Sequence, residues 1–223
     1  MAIIPAAGQG TRMGAVKQLL DLKGKPVLIR TIEAFEGHDE VDEIIISAPK
    51  NIAEIIGVYG FKKIRAVVPG GDNRQASVWA GLDVIDDDET CVLIHDGARP
   101  LLSKKIISDV LGYVRKGECA VSGVISKDTI KITDGDNLIR DTPSRERTWL
   151  VQTPQGFPCH IIKKAHLSAK AKGFIGTDDA VLVERIAVPV RMVKGEYSNI
   201  KLTTPDDLQL AEALISAFGN PMD

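Results

Sequence analysis

The sequence predicts an α/β protein with a mainly parallel sheet covered by helices on both faces. Three observations carry this. Short apolar, β-branched runs recur along the chain at Ala2–Ile4, Glu43–Ser47, Ile64–Val68, Cys91–Ile94, Ala120–Ile125 and Val188–Val193. They are apolar on successive residues rather than alternating, as expected of strands buried on both faces. Segments of helical period lie between several of them, and alternation of the two elements implies parallel strands joined by crossovers.

In chain order, Ala2–Ile4 runs directly into a small-residue loop, Pro5-Ala6-Ala7-Gly8-Gln9-Gly10. Leu28, Ile32 and Phe35 share one face of the first helix, and Val78, Gly81, Leu82 and Ile85 mark a second. Ile106, Ile107, Val110, Leu111 and Val114 mark a third. Thr129–Thr133, Asp134-Gly135-Asp136 and Asn137–Arg140 read as an exposed hairpin, followed by a polar segment to Arg147. This arm, at about 127–152, is too small to be stable alone and is expected to lean on another surface, such as a second subunit. The last helix is the best marked. Thr204 caps it, Pro205 suits its first turn and Asp207 stands three residues after the cap; Leu208, Ala211, Ile215 and Phe218 share a face, and Gly219 stops it.

No repeat, low-complexity tract or linker divides the 223 residues, so one domain over 1–223 is expected. With 28 basic and 30 acidic residues the net charge is −2, which supplies no global field for nucleic acid or an anionic membrane. Apolar runs fall far short of the roughly 20 residues of a spanning helix. Cys91, Cys119 and Cys159 are odd in number and widely spaced, which suggests neither a disulfide framework nor a zinc site. The opening residues lack a basic, cleavable signal, and the expected compartment is the cytoplasm.

Three clusters follow predicted strands. In Pro5–Gly14, small residues let backbone N–H groups approach an anion, and Arg12 and Lys17 add positive charge. Met13 stands where a dinucleotide fingerprint needs glycine, and the glycine spacing is not that of a Walker loop. Gly70-Gly71-Asp72-Asn73-Arg74-Gln75-Ala76-Ser77 opens a helix, where a hydroxyl and amides can read a base or ribose edge. His95-Asp96-Gly97-Ala98-Arg99-Pro100 falls at the carboxyl end of a strand, where ligands of open α/β sheets bind. There Asp96 can hold hydroxyls or a hydrated Mg²⁺. Further along lie Ser144–Trp149 leading to Gln152-Thr153-Pro154-Gln155, then Thr177-Asp178-Asp179 and Asn199–Thr204. Taken singly, these read as an exposed basic stretch, a helix cap and a loop before the last helix.

Taken together and in order, PAAGQGTRMG with Lys17-Gln18, GGDNRQASVWAGL, HDGARP, QTPQGF, TDD and NIKLTTPDDL resemble the 2-C-methyl-D-erythritol 4-phosphate cytidylyltransferase family over nearly the whole chain. The resemblance implies a Rossmann-like nucleotidyltransferase fold and a homodimer in which the hairpin arm reaches the neighbouring subunit. It implies transfer of CMP from CTP to methylerythritol phosphate, with release of pyrophosphate, in non-mevalonate isoprenoid precursor synthesis. It places CTP binding at Ala6, Ala7, Gly8, Gly10 and Arg12, and cytosine recognition at Gly71, Asp72 and Ser77. Lys17 and Lys201 fall on phosphate-activating positions, so Arg12, Lys17 and Lys201 are the expected catalytic residues. Asp96, Thr129, Arg145, Thr153 and Thr177 fall on positions that bind the sugar phosphate or shape its pocket. Mg²⁺ is expected to be held mainly by the CTP phosphates, with no protein carboxylate cluster. Two departures stand out: the stretch from Arg12 to Lys17 is a couple of residues shorter than in many members, and Gly176 stands where phenylalanine is common.

Other readings remain. Ribitol 5-phosphate cytidylyltransferases are similar but usually carry valine before the arginine of HDxxRP, where Ala98 stands here. A nucleotide-binding protein of the same fold without catalysis would not need both Lys17 and Lys201. A nicotinamide dehydrogenase would need glycine at Met13.

Overall fold

The computed structural model of the protein describes residues 1–8 and 17–219. Its centre is a seven-stranded sheet of β1 (Ala2–Pro5), β4 (Ile44–Ser47), β5 (Ile64–Val68), β6 (Cys91–Ile94), β7 (Cys119–Ile125), β10 (Trp149–Pro158) and β11 (Val190–Lys194). The order is β11-β7-β10-β6-β1-β4-β5. β1 pairs in parallel with β4 and β6, β4 with β5, and β7 with β11; β10 runs antiparallel between β6 and β7. The mainly parallel sheet is as expected. Outside it, β2 (Asp21–Leu22) and β3 (Lys25–Pro26) form a short antiparallel pair that leads into the first helix.

Alternate residues of the strands feed two cores. Ala2, Ile4, Ile44, Ile46 and Leu93 face α1 (Val27–Glu36), α2 (Lys50–Gly57) and α4 (Lys104–Val114). Ile3, Ile45, Val92, Ile94 and Phe157 face α3 (Arg74–Leu82), α5 (Cys159–Ala171) and α6 (Ala180–Glu184). Each fully buried Ile or Leu contributes roughly 1.5–3 kcal/mol, so a two-sided sheet needs apolar residues at successive positions, and these runs supply them. A smaller core joins Leu22, Leu101 and Leu202 to Ala211 of α7 (Pro205–Phe218). Among the described residues no helix is long and apolar enough to cross a membrane.

β10 is a strand that the sequence reading did not mark; there Ser144–Trp149 and the segment to Gln155 read as an exposed basic stretch. Pro154 and the Gln152-Thr153 pair argue against a central strand, since proline donates nothing to a ladder. The register shifts between Val151 and Gln155, and this irregularity takes Pro154 out of the ladder. It also turns Gln152 to donate to the Glu196 carbonyl at 2.8 Å and lets the Thr153 carbonyl accept from Asn199 Nδ2 at 2.8 Å.

The hairpin is shorter than expected, with β8 (Ile132–Thr133) pairing β9 (Ile139–Asp141). Its turn is built by Asp134, whose Oδ1 accepts from the Asp136 and Leu138 amides, while Asn137 takes a left-handed φ of 62°. Trp149–Val151, inside the expected arm, already pair with β7. α7 bears the expected capping box, with Asp207 Oδ2 accepting the Thr204 amide at 2.7 Å. Phe218 departs from expectation. The periodicity puts it on the buried face, yet it is 83% exposed, because the core under α7 ends at Ile215.

Candidate active site

The loops after β1, β5 and β6 converge at the carboxyl ends of the parallel strands, where the chain order reverses on either side of β1. They surround a cleft of about 680 Å³. One wall is Ala7 and Gly8, the second is Gly70–Arg74 with Ser77, and the third is Asp96–Ala98 with Lys201.

The first two walls are pressed together. A Cβ on Gly70 would stand 2.0 Å from that of Ala7, so only glycine fits there. Ala6 is buried, and its amide donates to the Ser47 carbonyl at 2.7 Å; the Gly8 carbonyl accepts from Gln18 Nε2 at 3.1 Å. In the second wall, Asn73 caps α3 by accepting the Ala76 amide. Ser77 Oγ accepts the Gly71 amide at 3.1 Å and donates to the Asn73 carbonyl at 2.9 Å. Its single proton therefore shapes the loop, and one lone pair remains for a ligand. Asp72 is exposed at the cleft mouth.

The third wall is electrostatic. Asp96, buried, receives Arg74 Nε on Oδ1 at 2.8 Å and Lys201 Nζ on Oδ2 at 2.7 Å, with Arg99 Nε 3.8 Å away. Burial alone would raise its pKa, but Arg74 and Lys201 more than reverse this and hold it well below the usual carboxylate range. Arg74 also donates to Asp179 Oδ2 at 2.7 Å, and both carboxylates outweigh burial to raise its pKa. The pKa of Arg99 is lowered by burial, which Asp96 only partly offsets.

His95 lies beneath this wall, its pKa lowered to about 4 mainly by burial, so the ring is neutral near pH 7. Nε2 faces the Arg99 carbonyl at 3.1 Å, which can only accept, so that nitrogen carries the proton. Nδ1 then accepts from Thr153 Oγ1 at 3.0 Å, and Thr153 Oγ1 accepts the Asp96 amide at 3.1 Å. Both ring nitrogens are occupied.

Of the expected site residues, the cleft gathers Ala7, Gly8, Gly71, Asp72, Ser77, Asp96 and Lys201, with Ala6 and Thr153 just behind. Thr177 is exposed on the segment before α6. Thr129 and Arg145 are exposed at the base of the arm and do not line the cleft of their own chain; Arg145 donates to the Lys127 carbonyl at 3.3 Å. Gly10, Arg12 and the Lys17 side chain lie outside the described residues; the Lys17 backbone opens a short 3-10 turn to Leu19. Gly176 is explained by packing, since a Cβ there would meet Val181 Cγ1 at 2.6 Å and Leu182 Cδ2 at 2.8 Å.

Sequence reasoning left Arg74, Arg99, Asp179 and Asn199 off the site. Asn199, fully buried, passes its carbonyl to Arg99 at 2.7 Å and so fixes the loop that carries Lys201. For Arg74 a signal existed: a cation in the first turn opposes the helix dipole and needs an anionic partner elsewhere.

Two small-residue loops closed on each other at the switch point of a mainly parallel sheet, facing a lysine ammonium, make an anion-binding cleft of the kind a nucleotidyltransferase needs. The family model described as 2-C-methyl-D-erythritol 4-phosphate cytidylyltransferase matches residues 1–217, and the chain belongs to that family. The protein of that description from Geobacter metallireducens is 45% identical over 224 residues, covering 96% of each chain. The crystal structure of a 4-diphosphocytidyl-2C-methyl-D-erythritol synthase from Anaerococcus prevotii superposes with a TM-score of 0.86 at 35% identity, covering 96% of this chain and 97% of that one. The cytidylyltransferase from Thermus thermophilus gives 0.78 at 36% identity, covering 97% and 98%.

Proposed function

We propose that this chain transfers the cytidylyl group of CTP to 2-C-methyl-D-erythritol 4-phosphate, releasing pyrophosphate, in the non-mevalonate route to isoprenoid precursors. The observation that carries the reading is the cleft itself, with small-residue loops on one side and Lys201, held by Asp96, on the other. The acceptor is a phosphate monoester with a second pKa near 6, already anionic at neutral pH, so no general base is required. His95 fits that chemistry, being buried, neutral and hydrogen-bonded at both nitrogens. Attack on the α-phosphate is in line, and the barrier is the approach of two anions. The chain's contribution is positioning and fixed charge: backbone amides of the Ala7–Gly8 loop, with Arg12, Lys17 and Lys201 about the triphosphate.

Mg²⁺ is proposed to enter with CTP. Among the described residues no three His, Cys, Asp or Glu side chains cluster, and both Asp96 oxygens are taken by cations. Phosphate and water oxygens would then be its ligands, which suits a strongly hydrated ion, and Asp72, on the Gly70–Arg74 wall, is the cleft carboxylate that would receive a bound water. Bound in this way it would neutralise charge on the leaving phosphates.

CTP is expected to outcompete ATP, GTP and UTP, because the contact of Gly70 on Ala7 leaves a tight pocket in which loop polar groups must match the base edge. Pyrophosphate release, measured for each nucleotide with methylerythritol and ribitol phosphates, tests both choices. Equal turnover of ATP or UTP in competition would overturn the base assignment.

The arm supports a homodimer. Ile132, Leu138 and Ile139 on it, with Ile125, Leu150 and Val151 at its base, are all exposed apolar residues. Arg145, beside them, is proposed to complete the partner's acceptor site. Sedimentation is then expected to report a dimer, and mixing Lys201→Ala with Arg145→Ala chains restores activity. Random pairing makes half the dimers mixed, each with one intact site, or roughly a quarter of wild-type rate. No recovery in subunit-exchanged mixtures would place Arg145 outside the partner's site.

A further inference from the structure

We propose that Arg74 is a positioning residue of the transfer reaction, bridging Asp96 and Asp179 so that Lys201 and the Thr177 segment are set against the nucleotide loop borne by Arg74's own helix. The inference rests on the functional reading above and assigns a new residue to it. The first turn of α3 divides its side chains between two tasks. Asn73 and Ser77 close the Gly71 loop, through the Ala76 amide and the Gly71 amide. Arg74 and Gln75 reach away from that loop to the 174–179 segment. Gln75 Oε1 accepts the Gly176 amide at 2.9 Å while its Nε2 donates to the Phe174 carbonyl at 3.1 Å. Arg74 spans 105 residues of sequence to Asp179 and 22 to Asp96.

The two carboxylates lock the guanidinium in one orientation, and the guanidinium locks Asp96. With Oδ1 held by Arg74, the carboxylate turns Oδ2 to Lys201. The far side of Asp179 faces His166 Nε2 at 3.3 Å, and Gln155 Oε1 accepts the Asp179 and Ala180 amides at 3.1 Å, so this anchor is itself fixed. A lysine at 74 supplies charge but reaches one carboxylate at a time, whereas the planar fork serves both.

The test is steady-state kinetics with Mg²⁺, CTP and 2-C-methyl-D-erythritol 4-phosphate, plus calorimetric CTP titration, on wild type, Arg74→Gln, Arg74→Lys and each change combined with Lys201→Ala. Arg74→Gln is expected to lower kcat/KM for the acceptor by about 10–100-fold, the value of a charge-assisted hydrogen bond, with a far smaller change in CTP affinity. Arg74→Lys recovers part of that loss. In the Lys201→Ala background the same changes cost less than in wild type, since Arg74 acts partly through Lys201. Losses that fall equally on CTP affinity, or that keep their full size without Lys201, would overturn the inference. If Arg74→Gln does not fold, Arg74→Lys decides alone: wild-type acceptor kcat/KM overturns the proposal, and a selective loss supports it. A wild-type chain that releases no pyrophosphate with this acceptor overturns the functional reading and this inference with it; an active wild type with insensitive variants overturns the inference alone.

Discussion

Lys201→Ala is expected to lower kcat by about 10²–10³-fold, equivalent to roughly 3–4 kcal/mol of transition-state stabilisation, while changing CTP affinity far less. The lysine is held on the cleft wall by Asp96 at 2.7 Å, and its loop is fixed by Asn199 and by the Leu202 amide, which donates to the Ala98 carbonyl at 2.9 Å. An ammonium fixed before substrate arrives loses little by reorganising when charge develops at phosphorus. The favourable interaction therefore grows along the reaction coordinate and belongs to kcat rather than to ground-state binding. Steady-state kinetics with calorimetric titration separate the two. Near wild-type kcat would transfer the role to Arg12 or Lys17, and an equal fall in affinity would make Lys201 a binding residue only.

The second large effect is expected from Asp96→Ala, on stability as well as turnover. Removing this carboxylate leaves Arg74, Arg99 and Lys201 facing one another across a buried wall. Breaking a buried ion cluster by deleting one partner costs about 3–5 kcal/mol; the lower end is expected because Arg74 keeps Asp179 and Lys201 reaches solvent. The pH dependence follows in sign. The folded-state pKa of Asp96 is depressed below the ordinary value of 3.8, so its contribution is fully present above that value and is lost as pH falls toward the folded-state pKa. Denaturant midpoints measured from neutral pH into acid are expected to fall more steeply for wild type than for Asp96→Ala. Parallel curves would mean that Asp96 is not held by its cations in solution.

The sequence by itself determined the layers. Uniform apolar runs such as Ile44–Ile46 require cover on both faces, and the caps of α7 are local, so short-range patterns suffice. It also located the two small-residue loops, because an anion-approaching turn after a strand needs side chains that do not obstruct the backbone. Only the tertiary structure decided that β10 enters the sheet between β6 and β7, since a polar segment holding Pro154 becomes a strand only when a register shift removes the proline from the ladder. The same holds for the anionic half of the site. Asp179 is a cap by local pattern, and Arg74 the first residue of a helix; they become an ion pair because the turn after β5 and the α5–α6 connection come to the same end of the sheet. Buried charge must find partners wherever packing places them, and pairings over about a hundred residues depend on strand order, which no local period encodes.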